Sequence, residues 1–251
     1  MRRACAIILF ATGAWGASVN RHVYLGLDTA DMTAKLAYNP HPAELFAIRP
    51  VSVHIVVPCI GRRSIFRLLA SLKPQLEPQD HITVAFDGID THNIFEEVNK
   101  ELASMPGNNK AVMEVVAAKD SGNTPRNKHR HEAGDFVLFA DDDNHYTADA
   151  LSIVRRVVQH DHEALYIFQM QLTKDVVIPI PGAERVVIGE VDTGCAVVPS
   201  KYAHLADWTT GQTPYGGDGH YLHTLSELMP RTYFMERIIY VYSGENRGKD
   251  V

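Results

Sequence analysis

The sequence is poor in cysteine and carries no excess of positive charge, and each shortage excludes a class of protein. Its 251 residues contain three cysteines, Cys5, Cys59 and Cys195, whose spacing fits neither a disulfide framework nor a paired metal-ligand motif. The formal net charge of -6 argues against the broad basic surface of a nucleic-acid-binding protein. We therefore expect no nucleic-acid partner, and a phosphorylated ligand would need a local basic patch or a metal ion.

Hydrolase motifs and long apolar runs are also missing. The chain contains no Gly-x-Ser-x-Gly elbow and no zincin motif, which argues against the common hydrolase classes. The apolar run over residues 4–11 is shorter than the roughly 20 residues that a membrane span needs. Nothing later in the chain resembles a transmembrane helix.

That N-terminal run has the layout of a secretory signal peptide. Arg2 and Arg3 precede it, and small residues follow it over 13–18. We expect residues 1–18 to be a cleaved signal peptide or a short signal-anchor, with a buried strand as the alternative. A cleaved signal predicts the lumen of the secretory pathway (Golgi or ER) or secretion, and an uncleaved one predicts a membrane tether. If residues 1–18 instead form a buried strand of the folded protein, a cytoplasmic location is compatible with the sequence.

The rest of the chain alternates between strand and helix patterns. Residues 19–50 are weakly periodic and rich in proline, so we interpret them as a stem or N-terminal extension. Strands are predicted at 52–57, 82–86, 112–117, 136–140 and 164–170, separated by helices at 62–76, 91–105, 126–133 and 148–159. This alternation predicts one α/β domain over 51–251, with a mostly parallel central sheet flanked by helices.

The second half of that domain is less regular. A hairpin is predicted from 176–180 and 185–188 around Pro181-Gly182, followed by strands at 195–198 and 237–242 and a helix at 218–228. We therefore expect a smaller, mixed region to follow the parallel part of the sheet.

Three adjacent carboxylates follow the apolar segment 136–140. Asp141, Asp142 and Asp143, here called the aspartate triplet, would repel one another unless positive charge lay among them. Mg²⁺ or Mn²⁺ prefers oxygen ligands and is usually held by one or two carboxylates together with substrate phosphates. In an extended chain Asp141 and Asp143 point to the same side. A solvated loop capping the next helix is the alternative, and the triplet alone supports both interpretations equally.

Three further segments combine turns with charged or polar side chains. Asp87-Gly88 follows a predicted strand and suits either a plain turn or a carboxylate that binds a base or sugar hydroxyl. The segment 121–131 runs into a helix and carries Arg126, Lys128 and Arg130, which favours anion binding or simply a basic helix face. Asp218 stands among glycines at a predicted helix start, as an N-cap or as a general base.

Together these segments resemble the nucleotide-sugar-binding half of GT-A glycosyltransferases, and they are most similar to the large inverting family two. The matching residues occur in the family's order: Val-His-Ile-Val-Val-Pro over 53–58, Asp87-Gly88, residues 122–127, and residues 133–143 ending in the aspartate triplet. The resemblance covers roughly Val51 to Leu228. It implies transfer of a sugar from a nucleotide-diphosphate sugar to a hydroxyl of a glycan, protein or lipid, with inversion at the anomeric carbon.

The resemblance also implies roles for individual residues. Residues 51–145 would bind the donor and 146–251 the acceptor. Asp141 and Asp143 would form the DxD pair that holds Mn²⁺ or Mg²⁺, with Asp143 as the direct ligand, and His220 is a further candidate ligand. Asp218 would activate the acceptor hydroxyl. The remaining candidates would contact the nucleotide or its diphosphate, and they are Pro58, Asp87, Gly88, Arg126, Asn127, Lys128, Asp142 and, from a C-terminal loop, Arg247.

The sequence departs from the family pattern at two places, which leaves two other functions open. Gly217 replaces the glutamate that usually precedes the activating aspartate, and Cys59-Ile60-Gly61 replaces polar residues after the first strand. Gly61-Arg62-Arg63 is a weak match to the basic signature of nucleotidyltransferases. Gly217 leaves a second alternative open, in which the chain is a secreted, lectin-like protein that binds nucleotide-sugars or glycans without turnover.

Overall fold

The computed structural model describes residues 50–88, 93–114, 118–209 and 216–243, and the backbone alone of residues 21–25. The predictions for residues 1–18, for most of the segment 19–50 and for Arg247 lie outside these residues. None of the helices in the described ranges combines the length and the apolar character that crossing a membrane requires.

The described residues form five α-helices and a ten-stranded sheet. In chain order the elements are β1 (Arg21–Leu25), β2 (Val53–Cys59), α1 (Ile65–Leu72), β3 (His81–Phe86), α2 (Phe95–Ala103), β4 (Lys110–Met113), α3 (Asn123–His129), β5 (Phe136–Phe139), β6 (His145–Tyr146), α4 (Ala150–Val158), β7 (Leu165–Thr173), β8 (Val176–Ile178), β9 (Ala196–Pro199), α5 (Gly217–Leu228) and β10 (Arg231–Val241). Short 3₁₀ helices lie at Lys73–Gln75, Thr193–Cys195 and Ser200–Tyr202.

The strand order is β1-β10-β7-β9-β5-β2-β3-β4, with β6 paired to β10 and β8 to β7. Along the main path every neighbouring pair is parallel except those of β9, which runs antiparallel to both β5 and β7. This confirms the predicted mostly parallel sheet with a mixed second half.

The core forms because β2 is apolar on both faces and each flanking helix carries one apolar stripe. All seven residues of β2 are buried, as expected for a central strand covered on both sides. Helix α1 buries Ile65, Leu68, Leu69 and Leu72, whose spacing places them on one helical face. Helix α4 buries a comparable stripe that includes Leu151 and Val154.

Three predictions about elements differ from the structure. Strand β8 pairs with β7 across the turn Lys174-Asp175, so the predicted hairpin with residues 185–188 is wrong, and those residues form no strand. Two intervening residues make a tight turn, whereas Pro179 and Pro181 interrupt the chain beyond β8. Strand β10 begins at Arg231, well before the predicted residue 237. The prediction placed its start too late because exposed Glu236 and Arg237 interrupt the apolar pattern of the strand. Strand β1 lies within the segment that we interpreted as a stem.

The sheet order also identifies a crevice. Strands β2 and β5 are parallel neighbours, but the chain continues from β2 to β3 on one side and from β5 towards β9 on the other. Ligands of open α/β sheets bind outside the carboxyl ends of the strands at such a reversal of direction. Here those ends lead into the turn 60–64 after β2 and the aspartate triplet after β5.

Candidate active site

The three aspartates of the triplet have three different environments. Asp141 is partly exposed and pairs with the guanidinium of Arg126, while its backbone N–H donates to the Tyr240 hydroxyl at 2.8 Å. Burial in the crevice raises the pKa of Asp141, with the charges of Asp143 and Asp218 adding to the rise and Arg126 opposing it. The start of α5, which carries Asp218, packs against Asn123 of α3, the helix whose Arg126 pairs with Asp141.

The side chain of Arg126 is fixed in place by Trp208 and by the Ser121 carbonyl. Its guanidinium lies 4.8 Å from the centre of the Trp208 ring, Nη1 donates to the Ser121 carbonyl at 2.8 Å, and its side chain is 4% exposed. Gly122 precedes α3 with φ +80°, and a Cβ there would come within 2.5 Å of Pro58. Glycine at 122 therefore lets the chain pass directly over β2, which brings Arg126 to the crevice.

Asp142 points away from the open crevice. It is buried, and its Oδ2 accepts a hydrogen bond from the Ile60 backbone N–H at 3.0 Å. Burial raises the pKa of Asp142 to about 6, although the Ile60 hydrogen bond and the charge of Arg62 oppose the rise. Its oxygens thus connect the triplet to the turn after β2, and a direct contact with a nucleotide stays a prediction.

Asp143 lies at the rim. Its Oδ2 accepts from Arg62 Nη1 at 2.8 Å, and its carbonyl oxygen accepts from Arg67 Nη2 at 3.1 Å. The side chains of Arg62 and Asp143 are 34% and 30% exposed, so water reaches this ion pair.

Asp218 lies in the first turn of α5, where glycines on both sides allow close packing. Its Oδ1 accepts from the Gly219 N–H at 2.8 Å. A Cβ at Gly217 would come within 2.9 Å of the Asn123 side chain, and one at Gly219 within 2.9 Å of Ile188. The Asn123 amide therefore occupies the space into which a side chain at position 217 would extend.

A fourth carboxylate, Asp192, shares this crevice and was not predicted. Burial raises its pKa well above the usual range, and the charges of Asp141 and Asp218 raise it further. Its Oδ1 accepts from Gly194 N–H at 3.1 Å. Gly194 lies against the Tyr240 ring, where a Cβ would come within 2.1 Å of a ring carbon. Tyr240 thus separates Asp192 from the backbone of Asp141.

Several predicted donor-binding residues hold protein loops in the structure. Both carboxylate oxygens of Asp87, which is 6% exposed, accept from the backbone N–H groups of Ala118 and Lys119 at 2.8 and 3.2 Å. Gly88 follows it with φ +101°. Asn127 bonds both the N–H and the carbonyl of Trp208 at 2.8 Å, and Lys128 pairs with Glu114 at 2.5 Å. These contacts fix the surroundings of Arg126; direct contact of any of them with a donor stays a prediction.

The predicted metal ligands are not assembled into a complete protein site. Within the described ranges, no three His, Cys, Asp or Glu side chains lie close enough together to hold a metal ion, so Asp141, Asp143 and His220 do not form one. The partly exposed carboxylate of Asp143 is a hard oxygen donor, which fits Mg²⁺ or Mn²⁺ bound by Asp143 together with donor phosphates.

Most of the residues that sequence reasoning missed act through contacts between distant segments. Asp192, Trp208 and Tyr240 belong to the mixed half of the fold, where no motif precedes or follows them. Arg62 had a signal, since Gly61-Arg62-Arg63 follows the first strand of the domain, but its partner in the triplet could not be predicted from sequence.

Comparisons with known proteins place this geometry in a known fold. No family model matches the sequence, and no curated protein is similar to it. The structure is similar to S. aureus TarS residues 1–349 in complex with UDP-GlcNAc, with a TM-score of 0.65 at 17% identity over 79% of this chain and 60% of that one. Against the complex with UDP the TM-score is 0.61 at 16% identity, over 76% of this chain and 60% of that one.

The chain has a glycosyltransferase fold. It spans about 60% of the TarS 1–349 structures and 36% of the longer TarS structure, which it matches with a TM-score of 0.58. The glycosyltransferase fold agrees with the architecture that the sequence predicted, and the crevice at the carboxyl ends of β2 and β5 is its candidate active site.

Proposed function

We propose that the chain is a glycosyltransferase of GT-A type, of the inverting kind found in family two, which moves a sugar from a nucleotide-diphosphate sugar to an acceptor hydroxyl. The observation that carries this proposal is the packing of the start of α5, which carries Asp218, against α3, which carries Arg126. A Cβ at Gly217 would come within 2.9 Å of the Asn123 side chain, and Arg126 of the same helix pairs with Asp141. Donor-binding groups and a base for the acceptor then share one crevice.

The donor class is supported by the basic groups and by the structural neighbours. Arg126 is buried and oriented by Trp208, which suits it to bind a diphosphate without first losing side-chain freedom. One of the TarS structures contains UDP-GlcNAc and another UDP. We propose a nucleotide-diphosphate sugar as donor and a glycan, protein or lipid hydroxyl as acceptor.

In the proposed reaction Asp218 accepts the proton of the acceptor hydroxyl as its oxygen attacks C1 of the donor sugar. The bond from C1 to the diphosphate oxygen breaks on the opposite face, so the anomeric centre inverts and the nucleoside diphosphate leaves with the bonding electron pair. Arg126 stabilises the charge that develops on the leaving group. Mn²⁺ or Mg²⁺ held by Asp143 would supply Lewis-acid stabilisation of the same charge.

The structure bears on the nucleotidyltransferase alternative. That function would use consecutive basic residues after the first strand of the domain, but only Arg62 enters the crevice. Arg63 is 68% exposed and pairs with Glu97 on the outer surface.

We propose a location in the secretory lumen or outside the cell, supported by the signal-like residues 1–18, with a membrane tether if they are retained.

A donor-hydrolysis and transfer screen tests the proposal. The protein is incubated with UDP-, GDP- and TDP-sugars in Mn²⁺, Mg²⁺ or EDTA, and release of the nucleoside diphosphate is measured. We expect metal-dependent release from one donor, and we expect Asp218→Asn to lower kcat about 10²–10⁴-fold, since a positioned base contributes that much.

Asp218→Asn retains a side-chain oxygen for the Gly219 N–H, so it removes the base with little change in shape. Asp175→Asn is the matched control because Asp175 is exposed in the turn between β7 and β8. No turnover of any donor, with no binding of nucleoside diphosphate, would sink the glycosyltransferase proposal. Release of pyrophosphate from nucleoside triphosphates would favour the nucleotidyltransferase instead.

A further inference from the structure

The turn after β2 holds one arginine inside the crevice. Arg62 Nη1 lies 2.8 Å from Asp143 Oδ2 and 3.5 Å from Asp142 Oδ1. Gly61 precedes it with φ +82°, a conformation that turns the chain sharply at the end of the strand. The neighbouring Arg63 instead forms two hydrogen bonds with Glu97, at 3.2 and 2.9 Å, outside the crevice.

The turn after β2 and the aspartate triplet are also connected by hydrogen bonds that do not involve the Arg62 side chain. Ile60 N–H donates to Asp142 Oδ2 at 3.0 Å, and Arg67 Nη2 donates to the carbonyl of Asp143 at 3.1 Å. The Arg62 side chain can therefore leave Asp143 while the backbone of both turns stays in place.

The Arg62–Asp143 pair is also weak enough to exchange. Both side chains are about one-third exposed, and solvent-exposed ion pairs contribute only about 0–1 kcal/mol. A guanidinium presents a planar fork of N–H donors that matches two phosphate oxygens better than one carboxylate at a wet rim. A divalent cation would bind the freed carboxylate as a hard oxygen ligand.

We propose that Arg62 is an exchangeable cation: it neutralises Asp143 in the free protein and moves to the donor diphosphate when a divalent ion takes its place on Asp143. Asp143 is then paired with a cation both before and after the donor binds. This inference rests on the proposed function and assigns Arg62 as a further donor-binding residue.

Two binding measurements on the full chain test the exchange. Mn²⁺ binding without nucleotide is measured from the EPR signal of free Mn²⁺. Binding of UDP, GDP and TDP at saturating Mn²⁺ is measured by calorimetry, and the nucleotide that binds the wild type best is then used. Arg62→Ala is compared with Arg63→Ala, which removes the same charge one residue away.

We expect Arg62→Ala to bind Mn²⁺ about threefold or more tightly, because Asp143 loses its competing cation and a nearby positive charge. The same variant should bind the nucleoside diphosphate about tenfold more weakly, the usual effect of losing one hydrogen bond between charged groups. Arg63→Ala should leave both affinities unchanged. Arg62→Lys keeps the charge without the fork and should lose nucleotide affinity while retaining the wild-type affinity for Mn²⁺.

Opposite changes in the two affinities distinguish exchange from damage to the fold. Weaker binding of both ligands by Arg62→Ala would mean that Arg62 merely supports the triplet, and unchanged nucleotide affinity would remove it from the donor site. Either result overturns this inference and leaves the proposed function intact. Nucleotide binding by a wild type that binds no Mn²⁺ would also overturn the exchange. A wild type that binds no nucleoside diphosphate would overturn both proposals.

Discussion

The two end members of the triplet each pair with an arginine, and the two arginines differ in their access to water. Arg126 is 4% exposed beside Asp141, whereas Arg62 is 34% exposed beside Asp143. The chemistry of the two pairs is the same, so the difference comes from what surrounds them. An arginine that protein encloses is part of the architecture, while an arginine at a wet rim is free to change partner.

The surroundings of Arg126 explain its rigidity. Trp208 lies under the guanidinium, stacks on Tyr221 with ring centres 4.5 Å apart, and is bonded through its backbone to Asn127. Arg62 has no comparable support in the contacts of the described residues and extends from a turn. The comparison predicts that the two arginines differ most in their contribution to stability.

The largest effect is expected for Arg126→Ala. Removing Arg126 deletes an enclosed side chain together with its contacts to Trp208 and Ser121, whereas Arg62 belongs to a solvent-exposed pair, which contributes about 0–1 kcal/mol. We therefore expect Arg126→Ala to lower the free energy of unfolding several times more than Arg62→Ala does. Urea unfolding at pH 7 measures both, with Arg63→Ala as an exposed control. Equal losses for Arg126→Ala and Arg62→Ala would contradict the distinction between the pairs.

A smaller effect is expected from Asp142, which lies between the two pairs. Because its pKa is raised to about 6 in the folded protein, the folded state binds this proton more tightly than the unfolded chain does. Its contribution to stability is complete below about pH 4 and is lost as the pH rises through about 6, by roughly 2–3 kcal/mol.

Asp142→Asn should remove this part of the pH dependence. The variant should unfold at higher urea concentration than wild type at pH 7.5, and the two proteins should converge near pH 4. Asp175→Asn, in an exposed turn, should follow the wild-type curve throughout. Parallel curves for wild type and Asp142→Asn would show that Asp142 does not titrate in this range.

The smallest effect is expected for Tyr240→Phe. The change removes the hydroxyl that accepts from the Asp141 N–H but keeps the ring on which Gly194 packs. We expect a loss of about 1 kcal/mol in the free energy of unfolding, the usual net value of one hydrogen bond. Since Tyr240 contacts only the Asp141 side of the triplet, Mn²⁺ affinity at Asp143 should not change. Tyr166→Phe, whose hydroxyl bonds Asp161 far from the triplet, is the control.

The first half of the fold could be predicted because its strands are buried on both faces. The predicted segments 52–57, 82–86 and 136–140 each became a strand of the parallel sheet, with ends within about two residues. The mixed half was predicted less well. Strand β10 alternates irregularly, with register shifts between Phe234 and Tyr240, so its sequence lacks the period that identifies a strand.

The site shows the same limit at the level of side chains. The triplet, Arg126 and Asp218 were predicted because they follow strands or begin helices, where sequence position largely determines location. Asp192, Arg62 and Trp208 matter through partners far away in the chain, and no local pattern encodes such contacts. Asn127 and Asp87 were predicted to contact the donor, and in the structure their hydrogen bonds hold backbone segments.

Strand β9 connects two parts of the sheet whose strands precede it in the chain. It is four residues long, and its two ladders are the ones that join β5 to β7. During synthesis β5 and β7 leave the ribosome before β9 does, so the edge of each strand that pairs with β9 is unpaired until β9 has been made. A chain that ended at Cys195 would lack both β9 and β10, which would leave β5 unpaired along one edge and β7 without its partners on either side.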